Sequence, residues 1–183
     1  MVATVQTYEE KALAEPERQW ELIRGVLREK PAMSFGHNHV LRVLARSLYI
    51  QTDPTRYVVS INSSRVRHPE ETYYIPDLAV IPVDLTTAYQ DRWEALEVYT
   101  KPLALVVEIW SPSTGDYDID DKIPDYMTRG DQEIWRIHPH DRLLTAWRRQ
   151  GDGSYQVTEY TGGLIPVESL PGIAIDLDEL FEE

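Results

Sequence analysis

The chain has no cysteine at any of its 183 positions. Disulfide bonds, zinc sites built on thiolates and cysteine nucleophiles are therefore excluded. The sequence also lacks a glycine-rich phosphate loop, a zincin helix and a nucleophile elbow, which are recurring motifs of nucleotide-binding proteins and hydrolases. Each absence narrows the chemistry that the chain can perform.

Basic residues are scarce. The chain has 18 lysines and arginines against 31 aspartates and glutamates, and its formal net charge is -13. This balance removes the broad basic face expected of a protein that coats nucleic acid. A substrate that carries phosphate would have to be met by a local cluster of lysine and arginine, or by metal ions that screen the acids.

Long apolar runs are missing as well. No segment approaches the roughly 18 apolar residues needed to span a bilayer, and the first residues lack the basic start and apolar core of a signal peptide. We therefore expect a cytoplasmic protein without a membrane partner. The chain shows no repeat or linker, and its 42% apolar composition can fill one core, so we expect a single domain over residues 1–183.

The apolar pattern predicts a mixed α/β fold. "WELIRGVLREKP" alternates around Gly25 as in a tight hairpin, and "HNHVLRVLARSLYIQT" has the fourfold spacing of a helix packed on a sheet. A second helix is expected from Asp121 to Arg129, with Pro124 in its first turn and Gly130 as its C-terminal cap. The predicted strands are "RYVVSINSSRVR", "YYIPDLAVIP", "LALVVEIW", "EIWRIHP", "LLTAWRRQ" and "SYQVTEY". We expect a central mixed β-sheet flanked by helices.

An acid interrupts the most apolar of these strands. Glu108 directly follows the run "LALVV", and a buried ionised carboxylate is costly unless it is paired, neutralised or bound to metal. Asp77 borders the preceding apolar strand in the same way. Two carboxylates from neighbouring strands can share a divalent cation, and Mg²⁺ accepts such sparse oxygen ligation with water and phosphate in its remaining positions.

A lysine follows Glu108 after a loop. Lys122 could point back towards the acids from the first turn of the next helix. A lysine beside a metal-bound water can orient that nucleophile and stabilise the negative charge that develops on phosphorus. Two acids, one lysine and a metal ion together predict phosphodiester hydrolysis.

Three segments carry a resemblance to a known family. They are "YIPDLAVIP", "LVVEIWSPST" and "DIDDKIPDYMTRGDQEIW", the last with acid, lysine, tyrosine and glycine at Asp118, Lys122, Tyr126 and Gly130. The likeness also covers "TYEEKALAEPERQWELIRGVL", "GHNHVLRVLARSL" and "LPGIAIDLDELF". The chain therefore resembles nearly end to end the Uma two (Uma2) family of restriction-endonuclease-like proteins. That family lies within the PD-(D/E)XK nuclease superfamily.

The resemblance implies a restriction-endonuclease-like core and a DNA substrate. It implies Asp77 and Glu108 as metal ligands. The ion is expected to be Mg²⁺ or Mn²⁺, and the backbone carbonyl of Ile109 is expected to complete its ligation. The resemblance also implies Lys122 as the catalytic lysine and Glu21 and His37 as residues that line the site. A homodimer would place two such sites on two DNA strands.

The chain departs from the superfamily pattern in places. The acid-x-lysine motif of the superfamily would put lysine at position 110, where this chain has Trp110, so the lysine is expected to have moved to Lys122. Asp131, Ile134 and His138 also differ from the family pattern and are expected to alter how the following strand packs.

Each of these residues has a plainer interpretation. Asp77 is also suited to a turn after Pro76, Glu108 to a buried ion pair with Lys122 or an arginine, and Lys122 to a solvated helix start. His37 is suited to a helix cap or a partly buried position, and His138 and His140 to a turn. Asp118, Asp120 and Asp121 suit capping, although one of them could steady Lys122.

Two further functions therefore stay open beside an endonuclease. One is a non-catalytic interaction protein that uses the acid pair structurally, and the other is a metal-dependent hydrolase of small phosphate esters. The cluster "AWRRQ" near Arg142 is either a basic patch for nucleic acid or a charged strand edge that resists aggregation. The five tryptophans are expected to pack in the core and at sheet edges.

Overall fold

Helices and strands alternate along the chain in the computed structural model, which describes residues 3–69, 71–113 and 121–182. The helices are α1 (Val5–Ala14), α2 (Phe35–Gln51), α3 (Val83–Thr86), α4 (Ile123–Arg129) and α5 (Leu177–Leu180), with a short 3₁₀ helix at Thr87–Tyr89. The strands are β1 (Trp20–Ile23), β2 (Val26–Glu29), β3 (Tyr57–Ile61), β4 (Arg65–His68), β5 (Thr72–Tyr74), β6 (Leu78–Pro82), β7 (Val98–Tyr99), β8 (Leu105–Ile109), β9 (Glu133–His138), β10 (Leu143–Arg149), β11 (Tyr155–Tyr160), β12 (Leu164–Pro166) and β13 (Ala174–Asp176). Within the described ranges, no helix is long and apolar enough to cross a membrane.

A six-stranded mixed sheet forms the centre, in the order β11-β10-β9-β8-β6-β3. Strand β8 lies inside it, parallel to β9 and antiparallel to β6. A second sheet has the order β2-β1-β5-β4-β7, and β12 pairs with β13. The mixed α/β class predicted from the sequence is confirmed, although the strands divide among three sheets where one central sheet was expected.

The division into sheets occurs within two predicted strands. "YYIPDLAVIP" forms β5 and β6, which belong to different sheets, and Asp77 lies in the bend just before β6. Pro76 has no N–H to continue a ladder, which favours a break at this point. "RYVVSINSSRVR" divides in the same way into β3 and β4, and Asn62 between them has a positive φ of 50°.

The predicted hairpin around Gly25 is confirmed. Strands β1 and β2 pair in antiparallel register from Trp20 opposite Glu29 to Ile23 opposite Val26. The two turn residues, Arg24 and Gly25, have φ values of 47° and 79°, as a two-residue turn of this twist requires. The hairpin places Glu21 in the second sheet, and the chain leaves β2 directly into Lys30.

Helix α2 begins at Phe35, two residues before its predicted start. The side chain of Ser34 accepts a hydrogen bond from the backbone N–H of His37 at 3.3 Å, which caps the helix. Its apolar face packs on one side of the central sheet together with α5. This core includes Val40, Leu41, Leu44, Leu48, Leu78, Val80, Val107, Ile109, Trp135, Leu177 and Leu180.

Helix α4 packs on the other side of the central sheet. Lys122 is its N-terminal cap residue, Pro124 lies in the first turn, and Gly130 ends the helix in the left-handed conformation, as the sequence predicted. Its buried apolar residues, Ile123 and Tyr126, join a second core with Val66, Tyr74, Ala79, Ile81, Val106 and Ile134. The helix therefore holds Lys122 and Tyr126 against the face of the central sheet.

Two expectations about the surface require correction. Arg148, within the predicted basic cluster, is buried, and its Nε lies 3.0 Å from Oε1 of Glu133. It is therefore neither part of a basic patch nor an exposed edge charge. Trp93 is 93% exposed, so it does not pack in the core or at a sheet edge.

Replacing Gly130 by alanine should destabilise the protein because its φ of 84° disfavours any residue with a Cβ. We expect the free energy of unfolding to fall by about 1–2 kcal/mol. Gly151 is a matched control, since its φ is not in the left-handed range and a Cβ there would meet no atom within 4 Å. Urea unfolding followed by circular dichroism measures both variants, and equal stability of the two would contradict the prediction.

Candidate active site

Asp77 is buried at the end of the central sheet, with 2% of its surface exposed. Its Oδ1 lies 2.7 Å from Nζ of Lys30, and its Oδ2 lies 2.9 Å from Nε2 of His37. The backbone N–H of Ile109 also donates to Oδ2, at 2.7 Å. Both carboxylate oxygens are thus engaged by groups from three separate segments, which fixes the orientation of the side chain.

The Lys30 ammonium keeps Asp77 ionised. Burial by itself raises the pKa of a carboxyl group, because it penalises the charged form. Here the Lys30 charge and the hydrogen bond from His37 outweigh burial, so the pKa of Asp77 is lowered well below its ordinary value. Asp77 is therefore an anion at neutral pH in spite of its depth.

Glu108 is buried at 1% exposure on β8. Nζ of Lys122 lies 3.3 Å from its Oε1 and 3.4 Å from its Oε2, and the Tyr126 hydroxyl donates to Oε1 at 2.6 Å. The same lysine nitrogen lies 3.2 Å from Oε1 of Glu21, which also accepts a hydrogen bond from the backbone N–H of Ile75. Helix α4 therefore inserts one cation between two buried acids.

The strand register sets the two principal acids opposite each other. Leu78 of β6 pairs with Val107 of β8 in antiparallel register. Asp77 precedes Leu78 and Glu108 follows Val107, so the two acids occupy the next opposing positions. Asp77 is in direct contact with the residue after Glu108, since the Ile109 N–H donates to Oδ2 of Asp77.

The contacts close into a ring through Ile75. Nζ of Lys30 donates to the backbone carbonyl of Ile75 at 2.9 Å, while the N–H of the same residue donates to Glu21. From Glu21 the ring continues through Lys122 to Glu108. The next residue, Ile109, closes the ring because its N–H donates to Asp77. Three carboxylates and two ammonium groups thus share one buried network.

The oxygen donors of this network fit a hard divalent cation. Mg²⁺ is commonly held by one or two carboxylates with water and substrate oxygens in its other positions. Among the residues that the structure describes, no group of three or more histidine, aspartate or glutamate side chains is arranged to hold a metal. A site here would therefore rest on the two carboxylates of Asp77 and Glu108 and on a backbone oxygen.

All the residues that the sequence singled out for the site lie in or beside this network. Asp77 forms a hydrogen bond with His37, and the N–H of Ile109 donates to Asp77. Glu108 and Glu21 both form ion pairs with Lys122. The ion pair between Glu108 and Lys122, expected as the plainer interpretation, is present. Their roles as ligands and catalysts stay predictions.

The acids before α4 are only partly described. Asp118 and Asp120 lie outside the described residues. Asp121 accepts a hydrogen bond from Nη1 of Arg24 at 2.8 Å. Asp121 therefore contacts an arginine of the β1–β2 turn.

Position 110, where the superfamily pattern has lysine, holds an aromatic contact. The ring of Trp110 stacks on His138, with centroids 4.1 Å apart and an interplanar angle of 26°. The cation beside Glu108 comes instead from Lys122 on the adjacent helix. His138, one of the departures from the family pattern, thus packs with Trp110 beside the end of β8.

Sequence reasoning missed Lys30 and gave no role to Tyr126. Lys30 is two residues after Arg28, so strand alternation predicts the same side for both side chains. Arg28 is exposed and Lys30 is buried, so no local pattern indicates that Lys30 belongs to the site. Tyr126 is four residues after Lys122, and this helical spacing places both on one face of α4. That spacing could have identified Tyr126 as a partner of Glu108, whereas Lys30 required the packed structure.

The fold and the cluster together define a class. A mixed sheet flanked by helices, with buried acids at the end of two adjacent strands, is a restriction-endonuclease-like core. The chain belongs to the Uma2 family, described as "Putative restriction endonuclease", whose model matches residues 5–178.

A solved structure supports the fold. The chain is similar to the crystal structure of a "putative nuclease belonging to DUF820" from Anabaena variabilis ATCC 29413, with a TM-score of 0.72 and 19% sequence identity. The similarity covers 88% of this chain and 89% of that chain. No match was found among curated proteins.

In the metal-free protein, stability should depend on the charge of Asp77. A carboxyl group with a lowered pKa in the folded state contributes stability that is present above its unfolded pKa and is lost as pH falls through its folded pKa. We expect the free energy of unfolding of the wild type to decline below about pH 4, and to decline less steeply in Asp77→Asn.

Urea unfolding in the presence of a chelator, between about pH 7 and about pH 3, measures this dependence. Asp91→Asn is the control, because Asp91 is exposed and distant in sequence from the network. It should follow the wild-type pH profile. An Asp77→Asn profile parallel to that of the wild type would show that Asp77 carries none of the acid sensitivity.

Proposed function

We propose that the protein is a Mg²⁺-dependent endonuclease that hydrolyses DNA phosphodiester bonds with an activated water. The observation that carries the proposal is the opposed placement of Asp77 and Glu108 at one end of the central sheet, with Lys122 against Glu108. Membership of the Uma2 family supports nucleic acid as the substrate.

Asp77, Glu108 and the backbone carbonyl of Ile109 are the groups that would hold the ion, for which Mn²⁺ is an alternative. When bound, the ion would supply a water of lowered pKa and neutralise charge on the phosphate. His37 would keep the Asp77 carboxylate in its orientation through the bond from Nε2. Asp77 and Glu108, the two carboxylates that would hold the ion, already belong to the buried network.

Lys122 would act as the catalytic lysine. Its side chain is almost fully buried, and its contacts with Glu21 and Glu108 orient the amino group. In this desolvated site it would orient the attacking water and stabilise negative charge on the phosphate more strongly than in bulk water. Glu21, which contacts the same ammonium, would orient Lys122 and either accept a second ion or position its waters.

The substrate has to approach a protein with a net charge of -13. We therefore propose weak affinity for duplex DNA, because few phosphate contacts can come from lysine or arginine. Salt would change this affinity by screening the repulsion between the acidic protein and the phosphates. A homodimer would compensate by placing two sites on two strands, and the cytoplasm is the proposed compartment. Sedimentation analysis with and without DNA tests the assembly.

One observation favours a second candidate, a non-catalytic interaction protein on the same fold. Lys30 and Lys122 already contact all three acids of the network, so only one net negative charge is left without any ion. Calorimetric titration of Mg²⁺ or Mn²⁺ into the wild type and Asp77→Ala separates the candidates. Binding that is lost in Asp77→Ala supports the nuclease, and absence of binding in both supports the interaction protein.

Glu108→Gln should abolish cleavage while the fold persists. The amide keeps the shape of the side chain but removes the charge that would hold the ion, so we expect the rate of plasmid cleavage to fall at least about 100-fold. Glu159→Gln on β11 is the control, since it makes the same charge change at an exposed position. Agarose gels with supercoiled plasmid and Mg²⁺ measure both rates.

Unchanged cleavage by Glu108→Gln would remove Glu108 from the mechanism. Circular dichroism of the variant shows whether a loss of rate comes with a loss of structure. A chromogenic phosphodiester assayed in parallel tests the third candidate, a hydrolase of small phosphate esters. Cleavage of that compound without cleavage of plasmid or oligonucleotide would replace the endonuclease proposal.

A further inference from the structure

Lys30 is a second buried lysine of the site. Its side chain is 3% exposed, and its Nζ meets three oxygen atoms at short range. These are Oδ1 of Asp77 at 2.7 Å, Oδ1 of Asn62 at 2.7 Å and the backbone carbonyl of Ile75 at 2.9 Å. An ammonium group has three hydrogens to donate, so these acceptors use its full capacity.

The surroundings of Lys30 are built for a cation. Asn62 is held in place by its own backbone, because its N–H donates to the carbonyl of Asp77 and its carbonyl accepts from Nε2 of Gln19. The N–H of Lys30 donates to the carbonyl of Gln19 at 2.8 Å. The three acceptors are thus presented by segments that are fixed independently of the ammonium.

This cation occupies the carboxylate that the proposed metal needs. Oδ1 of Asp77 receives Lys30, while Oδ2 receives His37 and the N–H of Ile109. A divalent cation that binds Asp77 would have to share an oxygen with these donors or displace the lysine. Repulsion between like charges at such short range in a buried site favours displacement.

The contact of Lys30 with its carboxylate is also shorter than those of Lys122. It lies 2.7 Å from Asp77, whereas Lys122 lies 3.2 Å and 3.3 Å from its two acids. Lys122 is divided between Glu21 and Glu108, and Lys30 is directed at one carboxylate. Competition with an incoming cation is therefore concentrated at Asp77.

We propose that Lys30 is a positioning residue that acts as the internal counter-ion of Asp77 and sets the affinity of the site for divalent metal. It holds Asp77 charged and oriented in the metal-free protein, and it must leave Oδ1 when an ion binds. The inference rests on the proposed metal site. Competition from Lys30 would raise the concentration of divalent cation that the site needs, so the metal would not be permanently bound.

The test is Mn²⁺ binding to the full chain of Lys30→Met, measured by calorimetry and by the electron paramagnetic resonance signal of free Mn²⁺. Removing the competing ammonium should tighten binding about 10-fold or more, which corresponds to about 1.4 kcal/mol. A purely structural role would weaken binding instead. Lys101→Met is the control, because it removes the same charge from an exposed position and should bind like the wild type.

Equal or weaker Mn²⁺ binding by folded Lys30→Met overturns the inference and leaves the nuclease proposal standing if the wild type binds and cleaves. Absence of binding in both proteins overturns the inference together with the proposed metal site. Lys30→Gln repeats the test with a polar side chain in case the methionine variant does not fold.

The wild-type protein offers an independent measurement. With ¹⁵N-labelled lysine, the ammonium signal that disappears in Lys30→Gln should shift as Mg²⁺ is added, with the same midpoint as the calorimetric titration. A Lys30 signal that stays in place while Mg²⁺ saturates the site would overturn the proposal.

Discussion

The structure depends on the neutralisation of three carboxylates that the fold buries in one place. Glu21, Asp77 and Glu108 come from two sheets, and an unpaired ionised carboxylate at such depth would strongly destabilise the protein. Lys30 and Lys122 supply two positive charges against these three carboxylates within the same network. The hairpin, the bend before β6 and the start of α4 are therefore constrained together.

The sheet arrangement explains how this network is assembled. The antiparallel ladder between β6 and β8 opposes the two acids, and helices on either face deliver the partners: His37 comes from α2 and Lys122 from α4. Apolar cores below each helix hold these elements rigidly. A site assembled on strand ends and helix starts keeps its geometry better than one on loops alone.

Features that depend on residues close in sequence were predicted correctly, whereas features that depend on contacts between distant segments were not. The β1–β2 hairpin and the end of α4 at Gly130 depend on the conformation of a few adjacent residues, and the sequence predicted both. The single strand predicted for "YYIPDLAVIP" was wrong because its two halves pair with different sheets, which alternation alone does not reveal. Arg148 was misjudged for a similar reason, since its partner Glu133 lies on the neighbouring strand.

The sequence by itself determined which acids are costly to bury, because Glu108 lies within an apolar strand and Asp77 borders another. It also determined the family, through the residues around Asp77, Glu108 and Lys122. Only the tertiary structure decided which cation meets which acid. Lys30 and Asp77 are 47 residues apart in the chain, and their contact depends on how the second sheet packs beside the first, which no local pattern encodes.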